Sequence, residues 1–275
     1  MSFHLYADDT QIYFAFKPHD SHHNILRIQS CIEDIRLWMR DNFLKLNDSK
    51  TEFLIIGSKH QKAKIDINHI VIGNSHIAPS NEARNLGVII DSDMSHKLQI
   101  SSTLKAAYCQ IRNIGKIRKY LTKDATQLII HSLVTSRLDM CNSLIYGIPH
   151  HELHRLQLAQ NAAARIITLT KKRSHITPVL IDLHWLPVKQ RIEFKLLIFV
   201  YKSLHGSAPS YLSELLHDYK PGRTGLRSAN LHLLHEPRSN NSFCDRSFAI
   251  CAPKLWNHLP THIKNSRTFV HNCFC

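Results

Sequence analysis

A chain of 275 residues with 43% hydrophobic content can bury one large core or two ordinary ones. Lys and Arg number 35 against 21 Asp and Glu, a formal net charge of +14 before any of the 21 histidines is protonated, with an isoelectric point near 9.6. That balance points to a polyanionic partner, nucleic acid first, with a basic but non-binding surface as the alternative. The odd, scattered set Cys31, Cys109, Cys141, Cys244, Cys251, Cys273 and Cys275 argues against a disulfide framework. The start lacks the order of a secretory leader, and the densest apolar run, FKLLIFVY at 194–201, is too short to span a bilayer. A nuclear or cytoplasmic protein without membrane contact is expected.

In chain order, FHLYA and TQIYFAF read as two short strands joined at Asp8 and Asp9. Ser21 is placed to cap the next element, a helix over 22–41, because Ile25, Ile28, Ile32, Ile35 and Met39 recur every three or four residues, with Cys31 and Trp38 widening the stripe. FLKLNDSKTEFLIIG, IDINHIVIGNSHIA and ARNLGVIID are β-rich runs broken at Asn-Asp-Ser, Gly73-Asn74 and Gly87, expected to complete a sheet against that helix.

From about residue 94 the period becomes helical. Ile100, Leu104, Ala107, Ile111, Ile114 and Leu121 form one stripe within 96–121. Lys97, Lys105, Arg112, Lys116, Arg118 and Lys119 supply positive charge with no acidic residue between them. Thr122 should cap a second helix running to Gly147. ELHRLQLAQNAAARIITL and VKQRIEFKLLIFVYKSL are further helices, the second closed by Gly206 and Pro209, and Pro178 and Pro187 bracket a short element containing LHWLP. Beyond Tyr219 the chain reads as irregular, punctuated by Pro221, Gly222, Gly225, Pro237, Pro253 and Pro260. The organisation expected is therefore α+β over 1–93, helical over 94–217 and irregular over 218–275.

Two carboxylates at a tight β-turn offer hard oxygen donors to a divalent cation such as Mg²⁺. Adjacent strand residues point to opposite faces, so a pair of metal ions about 3.5–4 Å apart needs a further carboxylate from another strand. An Asp-Asp pair that only makes the turn is the alternative.

YADDTQ with its flanking strands resembles the catalytic motif of reverse transcriptases, in the form found in non-LTR, LINE-type retrotransposons. FLKLNDSKTEFLIIG resembles the motif that follows in that family, and ARNLGVIID the next, a hairpin gripping the primer end. SRLDMCNSLIYGIP, LHRLQLAQNAAARIIT, the long run from HITPVLIDLHWLP to SYLSELL, LRSANLHLL and FAICAPKLWNHLP are similar to the thumb and C-terminal region of one group of these polymerases. The resemblance implies the C-terminal part of a palm followed by a helical thumb, and an RNA-directed DNA polymerase acting on an RNA template and a DNA primer. It implies that Asp8 and Asp9 hold Mg²⁺ or Mn²⁺, that Lys50 protonates the leaving pyrophosphate, and that Leu86, Gly87 and Val88 support the primer. It also implies a third aspartate, fingers and an endonuclease upstream of Met1, so this chain alone is expected not to polymerise DNA. The ending FVHNCFC departs from the basic ending of the family, which suggests a frameshift or premature stop.

The second reading, from another class, is a non-catalytic nucleic-acid-binding remnant in which Lys97, Lys105, Arg112, Lys116, Arg118 and Lys119, with Tyr108 and Tyr120 between them, contact phosphates. A solvated face of a helical bundle is the plain alternative. Zinc is disfavoured, since the pairs His22 and His23, His150 and His154, His232 and His235, and the terminal His271, Cys273 and Cys275 do not make four converging ligands. Trp185, Trp256 and the aromatics of 194–201 read as core.

Overall fold

The structure, a computed structural model, describes residues 1–220, 231–239 and 243–264. It is α+β and divides into two compact units, Met1–Leu98 and a second beginning at Gln99. Pro221, Gly222 and Gly225, part of LRSANLHLL, and His271, Cys273 and Cys275 lie outside the described residues.

The first unit holds strands β1 (Ser2–Tyr6) and β2 (Asp9–Tyr13), helix α1 (Ser21–Asp41), strand β3 (Phe53–Leu54), the one-turn helix α2 (Lys59–Lys62), and strands β4 (Ile70–Ile72), β5 (Ser75–Ile77), β6 (Pro79–Ser80), β7 (Glu82–Asn85) and β8 (Val88–Asp91). The strands do not complete the sheet expected from sequence. Among the described residues they form four separate pairs, antiparallel β1–β2, β4–β5 and β7–β8 and parallel β3–β6. Chemistry limits their extension: β6 opens on Pro79, which has no N–H to donate, and β3 is two residues long. The Glu52 carboxylate accepts the Arg84 backbone N–H at 2.9 Å, so a side chain takes one ladder partner's place.

Helix α1 forms where the isoleucine period places it. Ile25, with Ile28 and Ile32 behind it, packs on Ile70, Ile72 and Ile77 of the β4–β5 hairpin. Two details differ from expectation. Asp20, not Ser21, occupies the N-cap position, and Trp38 is exposed because it falls on the far side of that narrow stripe. Gly73 sits at φ +58 in the β4–β5 turn, a left-handed conformation that favours glycine, and an added Cβ would lie 2.0 Å from the Arg36 guanidinium, whose long side chain would have to move aside. Helix α2 was not legible as a helix by periodicity. The structure shows its cap: Ser58 Oγ accepts the Gln61 N–H while Gln61 Oε1 accepts the Ser58 N–H, the reciprocal box of an S-x-x-Q sequence.

The second unit is built on α3 (Lys97–Ile117), α4 (Lys123–Ile130), α5 (Ser136–Asp139), α6 (His150–Thr168), α7 (Thr177–Asp182) and α8 (Val188–Leu204), followed by α9 (Ser210–Ser213), α10 (Phe248–Asn257) and α11 (Thr261–Lys264). The α3 stripe is buried at Ile100, Leu104, Ala107, Ile111 and Ile114, while Leu121 lies beyond the helix and is half-buried. Thr122 caps α4 by accepting the Ala125 N–H at 3.2 Å. The helix it starts does not run to Gly147. It passes through a π-turn at His131–Thr135 into α5 and stops before Cys141, whose φ of 51 is left-handed and cannot propagate a right-handed helix.

Helix α8 joins two cores. Val188 and Ile192 belong to a cluster with the stripes of α3, α4 and α6, together with Leu180, Leu183 and Trp185. Val200 belongs to a second cluster with Leu234, Ala252 and Trp256. The region expected to be irregular therefore contributes α10, in which Pro253 lies inside the helix and is buried with Ile250, Cys251 and Trp256. Proline there removes one helical hydrogen bond, and burial of the apolar face opposes that loss. The Trp256 indole donates to the His232 carbonyl at 2.9 Å, and the Asn257 side chain clamps both the N–H and the C=O of Leu234.

Candidate catalytic hairpin and nucleic-acid interface

In the β1–β2 hairpin Tyr6 pairs with Asp9, which leaves Ala7 and Asp8 as a two-residue turn. Ala7 has φ 53 and Asp8 is not among the positive-φ residues, the sign pattern of a type II′ hairpin turn. Asp8 is thus at the tip and Asp9 opens the second strand, both exposed. The hairpin carries Phe3, Leu5, Tyr6 and Tyr13 exposed as well, and its ladder has no third strand among the described residues.

One polar contact ties this hairpin to the second one. Asn85 Nδ2 donates to Gln11 Oε1 at 3.1 Å, linking the strand after the acidic turn to the residue just before Leu86 and Gly87. Leu86 (φ 47) and Gly87 (φ 82) form the two-residue turn between β7 and β8, both left-handed as in a type I′ turn. Leucine is an unusual occupant, since its Cβ crowds the backbone there by about 1–2 kcal/mol. The side chain is half exposed at the tip, and Val88 beside it is buried. Lys50 closes a 3₁₀ turn, Asp48–Lys50, and is exposed. Its side chain takes part in none of the ion pairs among the described residues.

Asp91 and Asp93, which follow the second turn, are engaged elsewhere. Asp91 is buried and accepts the backbone N–H groups of Ser95 and His96, both at 2.7 Å. Asp93 pairs with Lys62 at 2.6 Å, and that hydrogen bond holds its carboxyl below the usual range. Among the described residues no group of three or more His, Cys, Asp or Glu could hold a metal ion. Asp8 and Asp9 are suitable donors for Mg²⁺, but two exposed carboxylates do not make its full donor set.

The basic residues divide by the direction in which they point. Lys97, Lys105, Arg112, Lys116 and Lys119 are exposed. Arg118 is not available in the same way: its Nε and Nη2 donate to the Ile166 and Ile167 carbonyls at 2.8 and 2.9 Å, and its Nη1 to the Leu121 carbonyl at 2.7 Å. A guanidinium spread over the last carbonyls of α6 caps that helix. The sequence places Arg118 among the phosphate contacts because it adjoins Lys116 and Lys119, and only the tertiary packing shows it turned inward.

The remaining cations have an order that their number alone conceals. Lys97, Ser101, Lys105, Tyr108, Arg112 and Lys116 succeed one another at spacings of four, four, three, four and four. At about 100° per residue they share one side of α3, over about 28 Å of its length. Arg155 of α6 joins this ridge, held by a 2.7 Å ion pair to the buried Glu152 and a 3.4 Å hydrogen bond to Ser101 Oγ. Tyr120 is 76% exposed at the end of the ridge with the Lys119 ammonium 4.8 Å from its ring centre. Trp185 and Trp256 are buried. His150 and His154 stack with ring centres 6.4 Å apart, and no third ligand joins them among the described residues. No helix among the described residues is long and apolar enough to cross a membrane.

Compared with protein-family models, with curated proteins and with solved structures, the chain has no match.

Proposed function

We propose that this chain is the palm-and-thumb part of a LINE-type reverse transcriptase: a primer–template-binding fragment that carries two of the catalytic carboxylates and does not extend a primer by itself. The observation that carries the reading is the tie between two turns. The hairpin with Asp8 at its tip and Asp9 opening its second strand, and the left-handed turn at Leu86 and Gly87, are joined through Gln11 and Asn85. A polymerase needs these two functions, metal-binding carboxylates and support for the primer end, at neighbouring places. Lys50 is the proposed general acid. Mg²⁺ would be held by Asp8 and Asp9 together with a carboxylate from another strand, and no step is assigned to it because the described donor set is incomplete.

The non-catalytic reading, a nucleic-acid-binding remnant, is favoured by a separate observation. The α3 ridge presents Lys97, Lys105, Arg112 and Lys116 with no acidic residue on the helix. It would grip phosphates with little sequence preference and a steep dependence on salt.

One experiment addresses both. Purified chain is given Mg²⁺ or Mn²⁺, a primed RNA template and nucleotides, and binding is followed at increasing salt concentration. Salt-sensitive binding without extension is the expected result. Template-dependent extension abolished by Asp8→Ala would overturn the statement that the chain is inactive alone, and binding indifferent to salt would overturn the ridge as its interface.

A further inference from the structure

A cleft between α3 and α6 interrupts the basic ridge. Its volume is 360 Å³, and it is lined by Ser101, Leu104, Lys105, Tyr108, Arg155 and Leu158. That volume lies at the small end of the range for ligand sites, about 300–1,000 Å³. The lining is divided by chemistry. Leu104 and Leu158 give it apolar walls, Tyr108, a residue 38% exposed, contributes its aromatic side chain, and Lys105 and Arg155 are both exposed cations. Arg155 is oriented by its bond to the buried Glu152 carboxylate and by Ser101 Oγ, so part of the cost of ordering a long side chain is met before any ligand arrives.

From this arrangement we infer that the cleft is a nucleotide-binding step on the ridge. One base of a single strand stacks on Tyr108 against Leu158, and its flanking phosphates are held by Lys105 and Arg155. The inference rests on the nucleic-acid reading above and adds to it a base-recognising element that phosphate contacts alone do not provide. Stacking on an aromatic ring is tolerant of sequence, because every base has a π-face, while the two cations follow the backbone. A purely acidic peptide would use Lys105 and Arg155 and leave the Tyr108 face and the apolar walls without a role. The net charge of +14 and the one-sign ridge on either side of the cleft favour a long polyanion over a small ligand.

The test uses the full chain, a short labelled single-stranded RNA, the same phosphodiester backbone without bases, and an oligoglutamate peptide. Wild-type chain is expected to prefer the RNA to the abasic strand. Tyr108→Leu should weaken RNA binding by about fivefold or more and remove that preference. Lys105→Gln should weaken binding to RNA and to the abasic strand alike, and should lower the salt slope by about 0.7, the value for one phosphate neutralised on a single strand. Arg155→Lys keeps a charge opposite Glu152 and so guards against a folding defect, which circular dichroism monitors in every variant. If wild type binds RNA in a salt-dependent way but Tyr108→Leu and Lys105→Gln bind as wild type does, the cleft is overturned while the ridge stands. Equal affinity for oligoglutamate and RNA, indifferent to Tyr108→Leu, overturns base stacking. Absence of RNA binding by wild type overturns the ridge and the cleft together.

Discussion

Residues 1–98 gather their core around three buried isoleucines, Ile25, Ile70 and Ile72, whereas the residues from Gln99 onward enclose a continuous cluster from Ile100 to Ile192 and a second one around Val200 and Trp256. The first unit has its strands in four isolated pairs and leaves Phe3, Leu5, Tyr6, Trp38 and Phe43 exposed, Phe43 completely. An isolated two-stranded hairpin is marginal in water, because few apolar contacts oppose the entropy of ordering it. The unit that carries the resemblance to a catalytic motif thus has the smaller buried core and the helical unit the larger, although the second unit also leaves apolar side chains such as Leu128, Leu169 and Ile181 exposed. The lesson is that a strong local motif and a self-sufficient core are separate properties of a chain.

The largest expected effect that would sharpen this contrast is in the helical core. Leu156→Ala removes a side chain that is 2% exposed and should cost about 2–5 kcal/mol, read as a shift of the urea midpoint. Leu5→Ser in the exposed hairpin should change stability by no more than about 0.5 kcal/mol. Equal costs would break the comparison.

A smaller effect is expected at the Leu86 turn. Leu86→Asn puts a residue tolerant of φ 47 at the tip and should stabilise the first unit by up to about 1 kcal/mol. A destabilisation would mean that the leucine side chain has a contact worth more than its backbone strain.

The smallest effect concerns acid. In the helical unit His131 lies in the π-turn, edge-on to Trp185 with ring centres 5.4 Å apart. Burial first, and the Arg191 guanidinium second, hold its pKa below the ordinary histidine value, with Asp139 opposing them. The unfolded chain then binds the proton more readily. His131 destabilises the fold as pH falls past about 6.5, and this loss is complete once pH is below the folded value. Thermal melts of the second unit between about pH 7 and 5 should show this decline, reduced in His131→Gln. An unchanged slope in the variant would assign the acid sensitivity to other groups.

Much of the helical architecture was legible. The isoleucine spacing located α1 within one residue, and five of six positions in the α3 stripe are buried. The capping role of Thr122 and the Gly73-Asn74 turn were legible too, because each depends on a few neighbouring residues. Three features were not. The π-turn at His131–Thr135 changes the helical pitch and the helix stops before Cys141 without a proline or glycine to announce either, Pro253 sits inside a buried helix where its local preference is overruled, and the strands stay in separate pairs because joining them into one sheet depends on partners beyond each hairpin.

For the candidate sites the division is sharper. The sequence by itself determined which residues carry charge and that a turn between two strands falls at the acidic pair, since side-chain chemistry and short-range turn preference are local. The turn itself is Ala7–Asp8, and Asp9 already belongs to the second strand, one residue from the expected placing. Tertiary structure alone decided that Arg118 caps α6, that Asp91 is buried as a backbone acceptor, that Gln11 meets Asn85, and that Arg155 faces Lys105 and Tyr108 across a cleft. These pairings are set by how helices and hairpins pack, and packing depends on the whole buried surface rather than on any stretch of neighbours.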